Sequence, residues 1–192
     1  MGSEQVLLTS LIALVDQLRE DLKVHDGDWT RPGFQAIAVH RFGVFRMSIK
    51  PFVLRAPFSV TYKTLFGLIR TAYGIELPYT VSVGRRVVIE HQGAIVIHGN
   101  AVIGDDTIIR QGVTIGNKNR KKPFDAPVIG QGVNIGAGAK ILGKIVVGDC
   151  STIGANAVVV RDVEAKTTVG GVPAVVLRRA SAPPSCTDDS DI

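Results

Sequence analysis

From Val83 onward one type of residue keeps a fixed beat. Aliphatic side chains stand at Val83, Ile89, Ile97, Ile103, Ile109, Ile115, Ile129, Ile135, Ile141, Val147, Ile153 and Val159, six apart except at two places. Two residues before most of them sits a second small or apolar residue: Val81, Val87, Ile95, Ala101, Thr107, Val113, Val133, Ala139, Ile145, Ser151 and Ala157. A helix would repeat every 3.6 residues and a lone strand every two. Two inward positions two apart, followed by a turn every six, predict a short strand and a corner in each unit. Three units close a triangular coil, and coils stack as parallel strands about 4.8 Å apart. Glycine follows the aliphatic at 84, 104, 116, 130, 136, 148 and 154. There a Cβ would crowd the backbone or force an unfavourable φ. The fold class read from this pattern is mainly β: a parallel β-helix of hexapeptide repeats, with an α-helical region before it.

The beat slips twice. Two extra residues fall in Glu90-His-Gln-Gly-Ala94, and two more within Asn117 to Ala126. A packed solenoid core cannot absorb an insertion, so each must bulge outward, and bulges are where sites are built. Before the solenoid the pattern is helical. Leu7, Leu11, Leu14, Leu18 and Leu22 predict one amphipathic helix from Ser3 through Lys23. Phe34 to Met47 predicts a second. Pro51 and Pro57 are read as breaks, with a third helix from Ser59 to Tyr73. The organisation expected is a helical region over 1–74, a β-helix over 75–179, and a disordered Ser/Pro/Asp-rich tail over 180–192.

Composition narrows the partners. The net charge of +5 and the 45% hydrophobic content describe a globular chain that favours an anionic partner. Basic residues are spread along the chain without an aromatic platform, which argues against nucleic acid. The apolar stretch Val6–Val15 is too short to span a bilayer and lacks a basic leader. A transmembrane segment is therefore not expected, while a peripheral membrane contact stays open. The two cysteines, Cys150 and Cys186, are read as unpaired thiols, which fits a cytoplasmic location. No metal-ligand spacing occurs, and no metal is expected.

Several runs then become specific: Val113-Thr-Ile-Gly116, Ile135-Gly-Ala-Gly-Ala-Lys-Ile-Leu-Gly143, Ile153-Gly-Ala-Asn-Ala157, Gly170-Gly-Val-Pro-Ala174 and, in the helical zone, Gly33-Phe-Gln-Ala-Ile-Ala-Val-His-Arg41. They resemble the serine O-acetyltransferases of the hexapeptide-repeat acyltransferase superfamily. The runs Val83 to His91 and Gly104 to Asn117, with the short leader, look closer to the colanic acid and exopolysaccharide O-acetyltransferases. The resemblance implies a left-handed coil, acetyl-CoA as donor, and a homotrimer or a hexamer made of two trimers.

It also implies a site. Acetyl transfer to a hydroxyl needs a base, and histidine suits neutral pH. His91, in the first bulge, matches the family's catalytic histidine. Glu76 stands fifteen residues before it, where the family has the acid that orients the imidazole. Glu90 matches an acid that helps hold the acceptor. Gly116, Asn117, Ala137, Ala155 and Arg178 match positions along the coenzyme. In the second bulge, serine acetyltransferases carry an Arg-His pair before a proline, and that Arg grips the serine carboxylate. Here the run is Asp125-Ala126-Pro127, with Arg120, Lys121 and Lys122 nearby. A negative Asp125 repels a carboxylate. Asp125 and Arg120 are therefore placed in acceptor binding, and the acceptor expected is a sugar hydroxyl in exopolysaccharide biosynthesis. Serine O-acetylation for cysteine synthesis is the alternative for a small-molecule acceptor, and a solenoid scaffold the non-enzymatic one.

Overall fold

The computed structural model describes residues 3–179. The tail expected over 180–192 lies outside the described residues. Three α-helices lead: α1 (Ser3–Val24), α2 (Pro32–Phe45) and α3 (Phe52–Tyr73), with a short 3-10 turn at Arg46–Ser48. The third helix starts seven residues earlier than the sequence reading placed it and runs through Pro57. Proline removes one N–H, which orphans the carbonyl four residues back, at Val53. Val53 is 79% exposed, so water takes that bond and the helix continues.

Fifteen short strands follow, from β1 (Ile75–Glu76) to β15 (Val175–Arg179). They form a left-handed parallel β-helix with three faces. The first face orders β1, β4 (Ile95–Ile97), β7 (Thr114–Gly116), β10 (Lys140–Leu142) and β13 (Val158–Val159). The second orders β2 (Ser82–Val83), β5 (Val102–Ile103), β8 (Val128–Ile129) and β11 (Val146–Val147). The third orders β3 (Val88–Ile89), β6 (Ile108–Ile109), β9 (Asn134–Ile135), β12 (Thr152–Ile153), β14 (Thr167–Gly170) and β15. Only the β14–β15 pair is antiparallel among these strands. The beat of six is the core: every isoleucine and valine named for it from Ile89 to Val159 is buried, and Val83 packs partly against the same cluster.

The corner glycines divide the two reasons given for them. A Cβ on Gly104 would lie 2.4 Å from the Gly130 carbonyl oxygen, and one on Gly136 would lie 2.6 Å from the Ala155 nitrogen. These positions need glycine for close approach, and their φ is not in the left-handed region. The left-handed residue comes two positions later. Arg86, Asp106, Cys150 and Asn156 adopt it as well as Gly132 and Gly138. Cys150 is disulfide-bonded, against the expectation of unpaired thiols.

The helices seal the first coil. Edge strands leave polar groups without a neighbour, and here side chains from α2 and from the turn after α1 supply one. Arg41 donates to the carbonyls of Val83 (2.8 Å) and Gly84 (2.5 Å) while its Nε pairs with Asp21 at 2.9 Å. Arg41 and Asp21 are both buried. His40 Nε2 donates to the Val81 carbonyl at 3.0 Å. His25 donates through Nδ1 to the Asp21 carbonyl and accepts the Ile89 N–H on Nε2. Gly33 lies against the same strand, so close that a Cβ would collide with the Ile89 carbonyl oxygen.

Candidate functional site

The register decides what stands beside His91. Ile89, Ile109, Ile135 and Ile153 are successive partners on the third face. Two residues on, His91, Gln111, Ala137 and Ala155 therefore share one corner of four successive coils. Backbone bonds tie that corner together: Gly112 N–H to the Gly93 carbonyl at 2.7 Å, Gly138 to Gln111 at 2.8 Å, and Asn156 to Ala137 at 2.8 Å. Left-handed residues at Ala94, Gly112, Gly138 and Asn156 turn the chain there. His91 is exposed at the top of the column, and no hydrogen bond to it occurs among the described residues. Ala137 and Ala155 lie two and three coils below, about 10 and 14 Å down the edge. Below Gln111 the edge is a flat track of small side chains, with His91 at its head.

Glu76 lies on β1, one coil above Val96 on the first face, and makes no hydrogen bond with His91 in this single chain. The two share a neighbourhood. The Gly74 carbonyl takes the Ile95 N–H at 2.9 Å, just after the His91 turn. Glu90 sits directly before His91 and is held by Arg110, whose Nε donates to Glu90 Oε2 at 2.6 Å. Arg110 also donates to Asn134 Oδ1. The sequence reading passed over Arg110. The signal was there, because Glu90 and Arg110 both occupy the corner position that is glycine in most other units.

The second bulge lies elsewhere. Gly116 ends β7 on the first face, and the chain from Asn117 to Pro127 forms the corner leading to β8 on the second face. Gly116, Asn117, Arg120 and Asp125 are thus on a different edge of the triangle from His91. Within one chain the structure does not bring them to His91. Arg120 is exposed; Asp125 is half-buried, its N–H donating to the Lys122 carbonyl. Arg178 is on β15, opposite Thr168, at the far end of the third face from β3. That is about 24 Å from the first coil. Its neighbour Arg179 pairs with Glu164 at 3.1 Å. A cleft of about 430 Å³ lies at that same end, lined by Val159, Asp162, Pro173 and Val175 among others. It is remote from His91. Among the described residues, no helix is long and apolar enough to cross a membrane.

Comparison with known proteins gives consistent matches. The family model described as bacterial transferase hexapeptide (six repeats) matches residues 126–161. A serine acetyltransferase of Synechococcus elongatus is 35% identical over 149 residues, 78% of this chain and 58% of that protein. One of Helicobacter pylori is 40% identical over 117 residues, 61% of this chain and 68% of that protein. A serine acetyltransferase structure from Brucella abortus superposes with a TM-score of 0.77 at 28% identity, covering 96% of this chain and 75% of that one. Another from the same organism, in complex with coenzyme A, gives 0.75 at 30%, covering 93% and 74%. The chain spans between half and three fifths of the length of several curated relatives, such as 50% of one from Mycobacterium tuberculosis.

These matches correct two expectations. The nearer kinship to colanic acid and exopolysaccharide enzymes is not supported, and the sugar acceptor is overturned: the relatives are serine acetyltransferases. Within one chain the second bulge stands on a different edge from His91 and more than one coil further along, so the charge of Asp125 does not by itself fix the acceptor at His91.

Proposed function

The chain belongs to the serine acetyltransferase family, and on that premise we propose that it transfers the acetyl group of acetyl-CoA to the hydroxyl of serine, the step that opens cysteine synthesis. The observation that carries the reading is the shared corner: an exposed histidine at the head of a column whose next members below Gln111 are Ala137 and Ala155. A thioester on a long flexible arm needs such a flat track. Bulky side chains would lift it from the exposed backbone amides.

In this reading His91 takes the proton of the acceptor hydroxyl as the oxygen attacks the thioester carbonyl. The tetrahedral intermediate collapses, the carbon–sulfur bond breaks, and the leaving thiolate takes the proton back from His91. Transfer is direct, with no acyl-enzyme. Glu76 orients the imidazole and stabilises its charge when a neighbouring ligand or a small rearrangement brings the two together. Gly116, Asn117, Arg120 and Asp125 contribute from another copy. A site using both edges closes only between two solenoids, which supports a trimer. Arg178 lies where the nucleotide end of the coenzyme would leave the track, and its charge suits a phosphate.

The test is thiol release from acetyl-CoA with L-serine. His91→Ala is expected to lower kcat by about 10²- to 10⁴-fold, the usual worth of a positioned general base, with the KM for acetyl-CoA little changed. Full activity in that variant would remove His91 from the mechanism. Absence of turnover on serine in the unaltered protein would remove the acceptor.

A further inference from the structure

We propose that Arg110 is the carboxylate anchor of the acceptor, and that its ion pair with Glu90 is a two-ended clamp for a zwitterionic amino acid. The inference rests on the serine reading above and adds a specificity residue to it.

An amino acid acceptor carries a negative carboxylate, and a site that selects it needs a fixed positive charge close to the base. Position 125 cannot provide one, because Asp125 is negative. Arg120, Lys121 and Lys122 are exposed, reach His91 only from another copy, and have no ion pair among the described residues to fix their charge. Arg110 is on the right edge. The pairing of Ile89 with Ile109 sets it one coil below Glu90, the residue that precedes His91. Its guanidinium is held on two sides, by Glu90 at 2.6 Å and by the Asn134 side-chain oxygen. Its Nε and Nη2 face the two Glu90 oxygens, at 2.6 and 3.4 Å, so the planar fork already holds one carboxylate and is shaped to take another in exchange.

Stability does not explain the pair. Glu90 and Arg110 are each about a third exposed, with side-chain values of 32% and 30%. An ion pair of that exposure contributes little to folding. Both residues also break the corner rule of the solenoid. In the same column, the next three coils carry Gly136, Gly154 and Gly170. Large charged side chains stand only at the two coils nearest His91, with open floor below them. A local rule broken beside the base, without a packing gain, marks a functional position. When serine enters, its ammonium takes a Glu90 oxygen and its carboxylate takes Arg110, so each charge exchanges one partner for another.

The experiment measures kcat/KM for L-serine and for ethanolamine, which keeps the amine and hydroxyl but lacks the carboxylate, in the full chain and in Arg110→Gln and Arg110→Lys. The ratio of L-serine to ethanolamine is expected to fall about 100-fold in Arg110→Gln, the worth of a charge-assisted contact. The loss falls in KM for serine, with KM for acetyl-CoA unmoved. Arg110→Lys, which keeps the charge and loses the fork, recovers part of it. A ratio unchanged within threefold, in a protein that does acetylate serine, overturns the anchor and leaves the serine reading standing. An equal loss on both acceptors makes Arg110 a structural residue and overturns the anchor too. Absence of serine turnover in the unaltered chain, with thiol release on another acceptor, overturns both.

Discussion

The solenoid and the helical region before it hold polar groups in opposite ways. Along the three faces nearly every strand is flanked by another, so the backbone bonds of each coil are met by the next, and the interior is filled with isoleucine and valine. Its buried polar side chains are hydroxyls, Thr107, Ser151 and Thr167. At the top of the stack no further coil exists. The open carbonyls and N–H of the first coil are met by Arg41, His40 and His25, and the buried groups of the helical region include two arginines, an aspartate and two histidines. The difference teaches that a repeat can be sealed only by something that is not the repeat. The cap must carry charge, because it supplies donors and acceptors from side chains where the coils use backbone. It also reaches the site: the Ile89 N–H held by His25 is two residues from His91.

The strongest way to break this contrast is to empty the cap. Arg41→Met leaves Asp21 buried without its partner and two carbonyls without donors. It should cost about 3–5 kcal/mol, read as a lower urea midpoint, with the far-UV signature of the solenoid lost in the same transition. A separate, earlier loss of helix alone would show that the cap and coils are not one cooperative unit.

Acid tests the same contrast more gently. Burial pushes His40 down to about 4, and its Nδ1 has no partner that could accept a second proton's hydrogen bond. Burial also lowers His25. A histidine lowered in the fold binds its proton more readily when unfolded. Stability is therefore fully present above the ordinary histidine value of 6.5 and falls as pH drops from there toward about 4. For His40 the loss is on the order of 3 kcal/mol across that window. A urea midpoint measured at each half unit of pH would show it, and replacing His40 with Gln should flatten the curve.

The smallest effect lies within the solenoid, between its two kinds of corner position. Gly104→Ala pushes a Cβ into the Gly130 backbone and should cost about 2 kcal/mol. Lys166→Gly, at a residue with φ of +59°, should stay within about 0.5 kcal/mol, since relief at the left-handed residue offsets the added chain entropy. Thermal melts of the two variants side by side test it. Equal losses would show that the two corner positions are not distinct.

Much of the fold was legible because its cause is periodic. The beat of six named the buried residues one by one, and its two slips located both bulges. What the beat could not give was position around the triangle. His91 and Asp125 both lie in register breaks, yet the breaks open on different edges, and the beat alone does not say whether one chain or two bring them together. Pro57 was misread for a related reason. Proline signals a break only where its orphaned carbonyl is buried, and exposure is decided by packing. Arg110 stood in plain view as a broken corner rule, but its partner was known only once one coil lay on the next.

The sequence by itself determined the solenoid, its corners, and a histidine at the first slip, because those follow from repeated local chemistry. Only the tertiary structure decided that Ala137 and Ala155 share an edge with His91, that Glu90 is held by Arg110, and that buried charges close the first coil. Each of these joins residues about twenty to sixty positions apart, at places set by how coils stack and where stacking stops.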